Sequence, residues 1–387
     1  MRVLYLTDSL SDLDGVGRYA MRLVSSLQEA DPDLEVEFLL SRKHRPTSDA
    51  VPKDWEVGVA LPPDYFFYMT PLRYWASFFQ ALPKVVKAAR SADIVHAIKD
   101  YPHNWLALCA ARIAGKPCVA TAHGTYTIQP LLDKRHRRRA RATYARFASM
   151  ISVSRYTRRR LLETLDGLPP APDRITVVPN AVNAAHYREP REVGQQPWHG
   201  KRFTLGIGEL KERKGHHLAV AAWSRVAREQ RDLHHFIVGR KMGDAYEAAI
   251  RKSAEDAGAG DRLHFLGNIS EDEKIDLLQR AEVFLHTPVT AEDGGFEGFG
   301  IVYLEASASG TPAIGSLDCG AEDAIVDGVT GTLVDQKIPA IETSLRQLLG
   351  DSALRARMGQ AGREHAARSV WADNASAVRA IYDAALR

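Results

Sequence analysis

Short apolar runs alternating with helical patterns along most of the chain are the feature that most narrows its fold. Residues 2–7, 36–40, 56–59, 94–97, 118–122, 150–153 and 175–178 read as strands, being short, apolar and rich in β-branched or aromatic residues. A second series follows at 203–208, 236–238, 263–266 and 283–286. Helical segments separate most of these runs. Strands that alternate with helices predict parallel sheets with helices on both faces, and ligands then gather beyond the carboxyl ends of the strands. With 387 residues, the chain is long enough for two such domains, each with its own core.

The most distinctive stretch begins where the run at 283–286 ends. Thr287-Pro-Val-Thr-Ala-Glu-Asp-Gly-Gly-Phe-Glu297-Gly-Phe-Gly is a Gly-rich loop, and a short helical pattern runs from Ile301 to a stop at Gly310. A loop feeding a helix N-terminus offers free N–H groups and a positive dipole end to an anion. Glu297 and Glu305 flank the junction. If the whole interval were helical, they would lie about 12 Å apart along the axis. Glycosidase carboxylates work on one bond from about 5–9.5 Å, so this pair suits the two ends of one extended ligand instead. In isolation, such glutamates are ordinarily solvated surface charges.

The block Phe296-Glu-Gly-Phe-Gly-Ile-Val-Tyr-Leu-Glu-Ala-Ser-Ala-Ser-Gly-Thr-Pro312 resembles the signature of the retaining family-4 glycosyltransferases. That resemblance implies the GT-B architecture, two Rossmann-like α/β domains facing across a cleft. It also implies that Glu297 and the Gly298-Phe299-Gly300 backbone hold the donor sugar, and that Glu305 holds the nucleotide ribose. Gly208-Glu-Leu-Lys-Glu-Arg-Lys-Gly215 is similar to the family's Gly-Arg-Leu…Lys-Gly element, whose basic residues hold the donor pyrophosphate. Lys214 matches it. Glu209 stands where the family has Arg, and a carboxylate 4 Å from a phosphate oxygen would cost about 4 kcal/mol at an effective dielectric of 20. Glu209 must therefore turn away, pair with a base such as Arg213, or do another job, while Arg213 supplies the missing charge. The resemblance puts the nucleotide base near Gly267, Asn268 and Ile269. It extends to 318–334 and, with Ala181 and Asn183 as departures, to 177–183.

In the first half, Gly15, Gly17 and Ala20 nominally fit G-x-G-x-x-A, the dinucleotide fingerprint. Asp8 to Asp14 intervene between strand and glycines, however, where that fingerprint needs a tight turn. A longer Gly-rich loop here is typical of family 4, which implies that Gly15 and Gly17 lie over the donor phosphates with Arg18 toward the acceptor. His123, at the end of a predicted strand, falls where the family commonly has His-Gly. It becomes the candidate for the reaction centre, as a polar contact, with Tyr126 on the acceptor side. The aromatic run 65–79 fits core packing of a helix, an acceptor site or a membrane-interface contact.

From Lys134 to Arg160 the chain has many Arg and Lys and no Asp or Glu. A solvated face, nucleic acid and an anionic membrane surface all fit a run of one sign. Family members acting on lipid-linked acceptors favour the membrane, and no nucleic-acid partner is expected. The net charge of +3 is too small to imply one. Cys109, Cys118 and Cys319 are scattered, which fits a reducing cytosol and no structural zinc. No signal-like start and no run of 18 or more apolar residues is present, so the expectation is a cytoplasmic protein, peripheral at most on the inner face of the membrane.

Taken with the resemblance, the expected organisation is an acceptor-binding domain over 1–185, a linker over 186–200, a nucleotide-sugar-binding domain over 201–368 and a terminal helix over 369–387 packing at the junction. The implied reaction is metal-independent, retaining transfer from a nucleotide-diphosphate sugar to a glycan or lipid-linked acceptor hydroxyl, with no cofactor. No nucleophile for the sugar's far face is evident, so front-face displacement is implied. The alternatives are a nucleotide-sugar epimerase on the same fold and a non-catalytic homologue that binds a membrane or partner through the basic run.

Overall fold

The computed structural model describes residues 1–11, 14–41, 51–240, 243 and 245–387. The chain divides into two units, Met1–Asn180 with Trp371–Arg387, and Ala181–Val370.

Among the described residues the first unit holds a seven-stranded sheet of β1 (Arg2–Leu6), β2 (Glu35–Ser41), β3 (Glu56–Leu61), β4 (Ile94–Ala97), β5 (Cys118–Ala122), β6 (Ser149–Ser152) and β7 (Ile175–Val177). Their order is β3-β2-β1-β4-β5-β6-β7, and every pairing is parallel. The order reverses between β1 and β4, where Val3 lies opposite Ile94. Val3, Leu4, Tyr5 and Leu6 are wholly buried, as expected for a strand with both faces covered. His96 is one of the polar residues buried in this core. Its Nδ1 lies 2.6 Å from the Tyr382 hydroxyl and its Nε2 2.8 Å from Thr121 Oγ1. Burial drives its pKa down to about 3, so the ring is neutral. Tyr382 belongs to the Trp371–Leu386 helix, which packs on the Gly15–Ala30 helix of the same unit. The Asn374 amide donates to the Pro179 carbonyl at 2.7 Å, and Arg379 pairs with Asp31.

The second unit holds β8 (Arg202–Ile207), β9 (Leu233–Val238), β10 (Leu263–Gly267), β11 (Val283–Leu285), β12 (Ala313–Ser316) and β13 (Gly331–Val334). Among the described residues they form one six-stranded parallel sheet of order β10-β9-β8-β11-β12-β13, reversing between β8 and β11. Trp223, Leu205 and Phe236 are wholly buried in it. β9 begins three residues before the predicted strand because its two histidines find partners. His235 Nδ1 meets Thr204 Oγ1 at 2.7 Å, and His234 stacks on His264. The stretch expected as a linker is not a bare connector. Ala184–Arg188 is helical, and Trp198 is buried with its indole N–H 2.7 Å from Asp276 Oδ2. A buried carboxylate given an indole donor fastens this segment to the Glu271–Arg280 helix.

Candidate functional site

Both sheets place charged side chains at the carboxyl ends of the strands that flank their reversal, where parallel α/β sheets leave a crevice for ligands. In the second unit, the loop after β8 carries Arg213 and Lys214, and the loop after β11 carries Glu297. Gly215 ties the two loops together. It has φ +68°, and a Cβ there would sit 1.7 Å from the Thr287 carbonyl oxygen. Val289 N–H donates to the Arg213 carbonyl at 3.0 Å, adding a second tie.

Three nitrogens converge on one oxygen. Glu297 Oε2 lies 2.5 Å from Lys214 Nζ, 3.5 Å from Arg213 Nη1 and 3.8 Å from His286 Nε2. Burial pushes the Glu297 carboxyl up, but Lys214, His286 and Arg213 push it further down, to well below the usual carboxylate range. Lys214 moves down as well, because burial and the like charge of Arg213 outweigh the pull of the Glu297 carboxylate and the weaker pull of Glu209. Burial also lowers His286, leaving it neutral. Two cations thus crowd one anion in a part-buried setting, and the surplus positive charge suits an anionic ligand. The adjoining Ile301–Ser309 helix adds its dipole. Its N-cap is Gly300 at φ +81°, and no side chain caps the first turn. Glu209 opposes this field only weakly. Its carboxylate turns to Lys211 at 2.7 Å and Arg240 at 3.0 Å.

In the first unit, Asp8 follows β1 and Lys99 follows β4, and the two form an ion pair across the reversal. Tyr126 is exposed, with the Lys99 ammonium 5.7 Å from its ring centre. Asp100, the residue after Lys99, is buried and accepts from Thr127 Oγ1 at 2.5 Å and from the His123 amide. Burial lifts its pKa to about 7. His123 packs edge-on against Tyr19 at 4.9 Å, and its Nε2 is buried with no hydrogen-bond partner. Burial, aided by Lys99, pushes this imidazole down to about 4, so it is neutral near pH 7.

Residues 13–186 match the family described as Glycosyltransferase Family 4, and residues 189–365 match Glycosyl transferases group 1. The chain belongs to the group 1, family 4 glycosyltransferases. It is 34% identical over 228 residues to a GDP-mannose-dependent alpha-(1-6)-phosphatidylinositol monomannoside mannosyltransferase of Mycolicibacterium smegmatis, covering 57% of each chain. It is 31% identical over 251 residues to a D-inositol 3-phosphate glycosyltransferase of Corynebacterium efficiens, covering 62% of this chain and 57% of that one. The match thus spans little more than half the length of these relatives. The solved structure of Anabaena HepE in complex with UDP and glucose has the same fold, with a TM-score of 0.74, 18% identity and 98% of each chain covered. This is the GT-B fold expected from the glycosyltransferase signature.

Within this glycosyltransferase, Arg213, Lys214 and Glu297 come together, and Gly298, Phe299 and Gly300 run from Glu297 into the helix. The interval between the two glutamates is therefore part loop. Glu305 lies apart from the cluster, buried, with Lys274 Nζ 3.1 Å from its Oε2. Lys274 also pairs with Glu271 at 2.9 Å, and Glu271 accepts from the Tyr187 hydroxyl at 2.8 Å. Asn268 and Ile269 follow β10, with β9 between them and the Lys214 loop. In the first unit, Gly15 is exposed, while the Gly17 amide donates to the Asp14 side chain at 2.6 Å. A Cβ on Gly17 would lie 2.7 Å from the Ser11 backbone, so this glycine serves close packing of its own loop. Arg18 is part-exposed one residue further on.

Asp8, Lys99, Asp100, His286 and Lys274 escaped the sequence reading. Singly, each looks like a surface charge or a strand-end residue. Their common signal is position, since Lys99 and Asp100 follow β4 as His123 follows β5.

Proposed function

We propose that the protein is a retaining, metal-independent glycosyltransferase that moves a sugar from a nucleotide-diphosphate donor to an acceptor hydroxyl of a glycan, glycolipid or lipid-linked saccharide. One observation carries the reading: a part-buried cluster with more positive than negative charge, Arg213, Lys214 and Glu297, at the reversal point of the second sheet. A diphosphate supplies the anion that this cluster lacks. The relative named for GDP-mannose and the neighbour solved with UDP and glucose support the same donor class.

In this reading, Lys214 and Arg213 neutralise the leaving diphosphate, the work a divalent cation does elsewhere. Glu297, ionised at any working pH, and the amides at 298–300 orient the sugar hydroxyls. Glu305, held by Lys274, takes the ribose, and Asn268 and Ile269 border the base. The anomeric carbon–oxygen bond to the phosphate breaks while the acceptor oxygen bonds the same face, and the acceptor proton passes to the leaving phosphate oxygen. Neutral His123 is a hydrogen-bonding contact at that centre, with Gly15, Arg18 and Tyr126 toward donor and acceptor. The first unit is the acceptor-binding one. No cofactor takes part, and the three free cysteines suit a cytoplasmic setting.

The test is thermal unfolding with UDP, GDP, ADP and their sugars, followed by turnover. A ligand at 100 times its Kd that binds only the folded chain stabilises it by about 2.7 kcal/mol. One nucleotide should produce the shift, Lys214→Ala should abolish it, and Glu297→Ala should remove most turnover. A response to none of them, or near-normal turnover in both variants, would refute the reading.

A further inference from the structure

The two sheet reversals carry opposite balances of charge. At the second, Lys214 and Arg213 outnumber Glu297, and the helix that starts there has no side-chain cap. At the first, the acids prevail. Lys99 follows β4 and pairs with Asp8, which follows β1. The amides of Ile98 and Lys99 donate to the Leu6 carbonyl at 2.9 and 3.0 Å, which fastens the two strand ends together. Burial pulls the Lys99 ammonium down, but Asp8, Asp100 and Asp14 push it further up, so three acids act on one base. Even with Asp100 protonated, as its pKa of about 7 allows, two carboxylates remain against one ammonium.

The other donors at this end are taken as well. Asp14 caps the Gly15–Ala30 helix by accepting from the Gly17 amide, and it also accepts from the Ser9 hydroxyl at 2.5 Å. Asp100 accepts from the Thr127 hydroxyl and the His123 amide. Burial holds His103, like His123, neutral near pH 7. Arg18, in the first turn of the capped helix, is engaged in a contact of its own. Two atoms are left over. Asp8 Oδ1 and His123 Nε2 are buried and have no hydrogen-bond partner among the described residues. A carboxylate oxygen can only accept, so a ligand that meets Asp8 must bring a hydrogen. A hydroxyl brings one, and it serves the imidazole nitrogen in either tautomer. A phosphate dianion has none, and its charge would add to those of Asp8 and Asp14. Beside them the Tyr126 ring is 41% exposed, its centre 5.7 Å from Lys99 Nζ. An aromatic face flanked by a few convergent polar groups is how pockets hold and orient a hydroxylated ring.

We infer that the end of the first sheet at Asp8, Lys99, His123 and Tyr126 selects an acceptor whose reacting end is an uncharged, hydroxyl-rich ring, and rejects one that carries a phosphate there. Asp8 determines this specificity twice over. It accepts from a ring hydroxyl, and it cancels the Lys99 charge that would otherwise draw a phosphate. The inference rests on the acceptor-binding role given above to the first unit.

The experiment labels the full chain with isotopic tyrosine and follows the Tyr126 amide signal, assigned by its loss in Tyr126→Phe. The ligands are methyl hexopyranosides and the matching hexose phosphates. The hexosides should shift the signal, and the phosphates should need a concentration about tenfold higher or more. That factor is one unit charge felt across about 12 Å at an effective dielectric of 20. Asp8→Asn should gain about tenfold in affinity for the phosphates, and adding Lys99→Met should remove the gain. Equal response of the parent to both ligand classes overturns the proposal, and so does a signal that neither class moves. An Asp8→Asn chain that still rejects the phosphates overturns it too. Should that variant fail to fold, the contrast between ligand classes in the parent decides alone. The nucleotide-induced thermal shift, a readout in the other unit, separates the two readings. Its absence sinks the transferase reading, whereas a failed Tyr126 contrast with the shift intact sinks only this one.

Discussion

Replacing Asp100 by Asn removes a charge that the first unit holds at a cost. The carboxyl is buried at the end of β4, accepts from the Thr127 hydroxyl and the His123 amide, and has its pKa lifted by burial to about 7 from an ordinary 3.8. Three pKa units correspond to about 4 kcal/mol. Because the folded value is raised, the native state binds the extra proton, and the group favours folding fully below about pH 4. That contribution is lost as the pH rises through about 7. Asn keeps an acceptor for both donors and never ionises. Lys99 and Asp8, the charges nearest Asp100, and buried Tyr144 are the same in both proteins. The variant should therefore match the parent near pH 4 and exceed it by about 4 kcal/mol near pH 8. Hydrogen exchange of the β4 and β5 amides, measured on both proteins across this range, reports the opening free energy of this unit alone. A stability difference that is absent at pH 8, or constant with pH, would show that Asp100 is not held protonated.

Two further substitutions test how the second unit is built. Gly215→Ala should cost about 3 kcal/mol or more, since it combines a left-handed backbone with a Cβ 1.7 Å from the Thr287 oxygen. Urea unfolding measures it, and the nucleotide-induced thermal shift should shrink as the two loops part; an unchanged midpoint contradicts the contact. Trp198→Phe should cost about 2 kcal/mol by removing the indole donor from buried Asp276. A loss under about half a kcal/mol by the same method would make 186–201 the slack connector that its composition suggests.

Eleven of the thirteen described strands are legible because each is an apolar run; β12 and β13 are not, since Ala313–Ser316 and Gly331–Val334 are only four residues long and mix Gly, Ser and Thr into the run. β9 was read short because His234 and His235 look polar, whereas one stacks on His264 and the other bonds Thr204 inside the sheet. The Pro- and Gly-rich stretch at 186–201 looked like a linker because composition cannot show what Trp198 reaches 78 residues later. At the site, Lys214 and Glu297 were legible only through the family signature. They lie 83 residues apart, and nothing local joins them. The Asp8–Lys99 pair, 91 residues apart, has no motif at all and needed the strand order. In the sequence, Glu209 stands out as a charge where the family has Arg. Its resolution, Lys211 and Arg240 rather than Arg213, depends on β9 ending beside β8.

The first unit is assembled from two pieces of chain, Met1–Asn180 and Trp371–Arg387, while the second is continuous. On a ribosome, where domains ordinarily fold in the order they emerge, the first unit must wait. Until the last helix is released, the His96 imidazole lacks Tyr382, Asp31 lacks Arg379 and the Tyr19 ring lacks Trp371. The second unit, contained in Ala181–Val370, has all its strands before that moment. The unit whose strands come first is thus completed after the other, and a nascent chain stalled before Trp371 carries a finished second sheet and a first one still missing a helix of its cover.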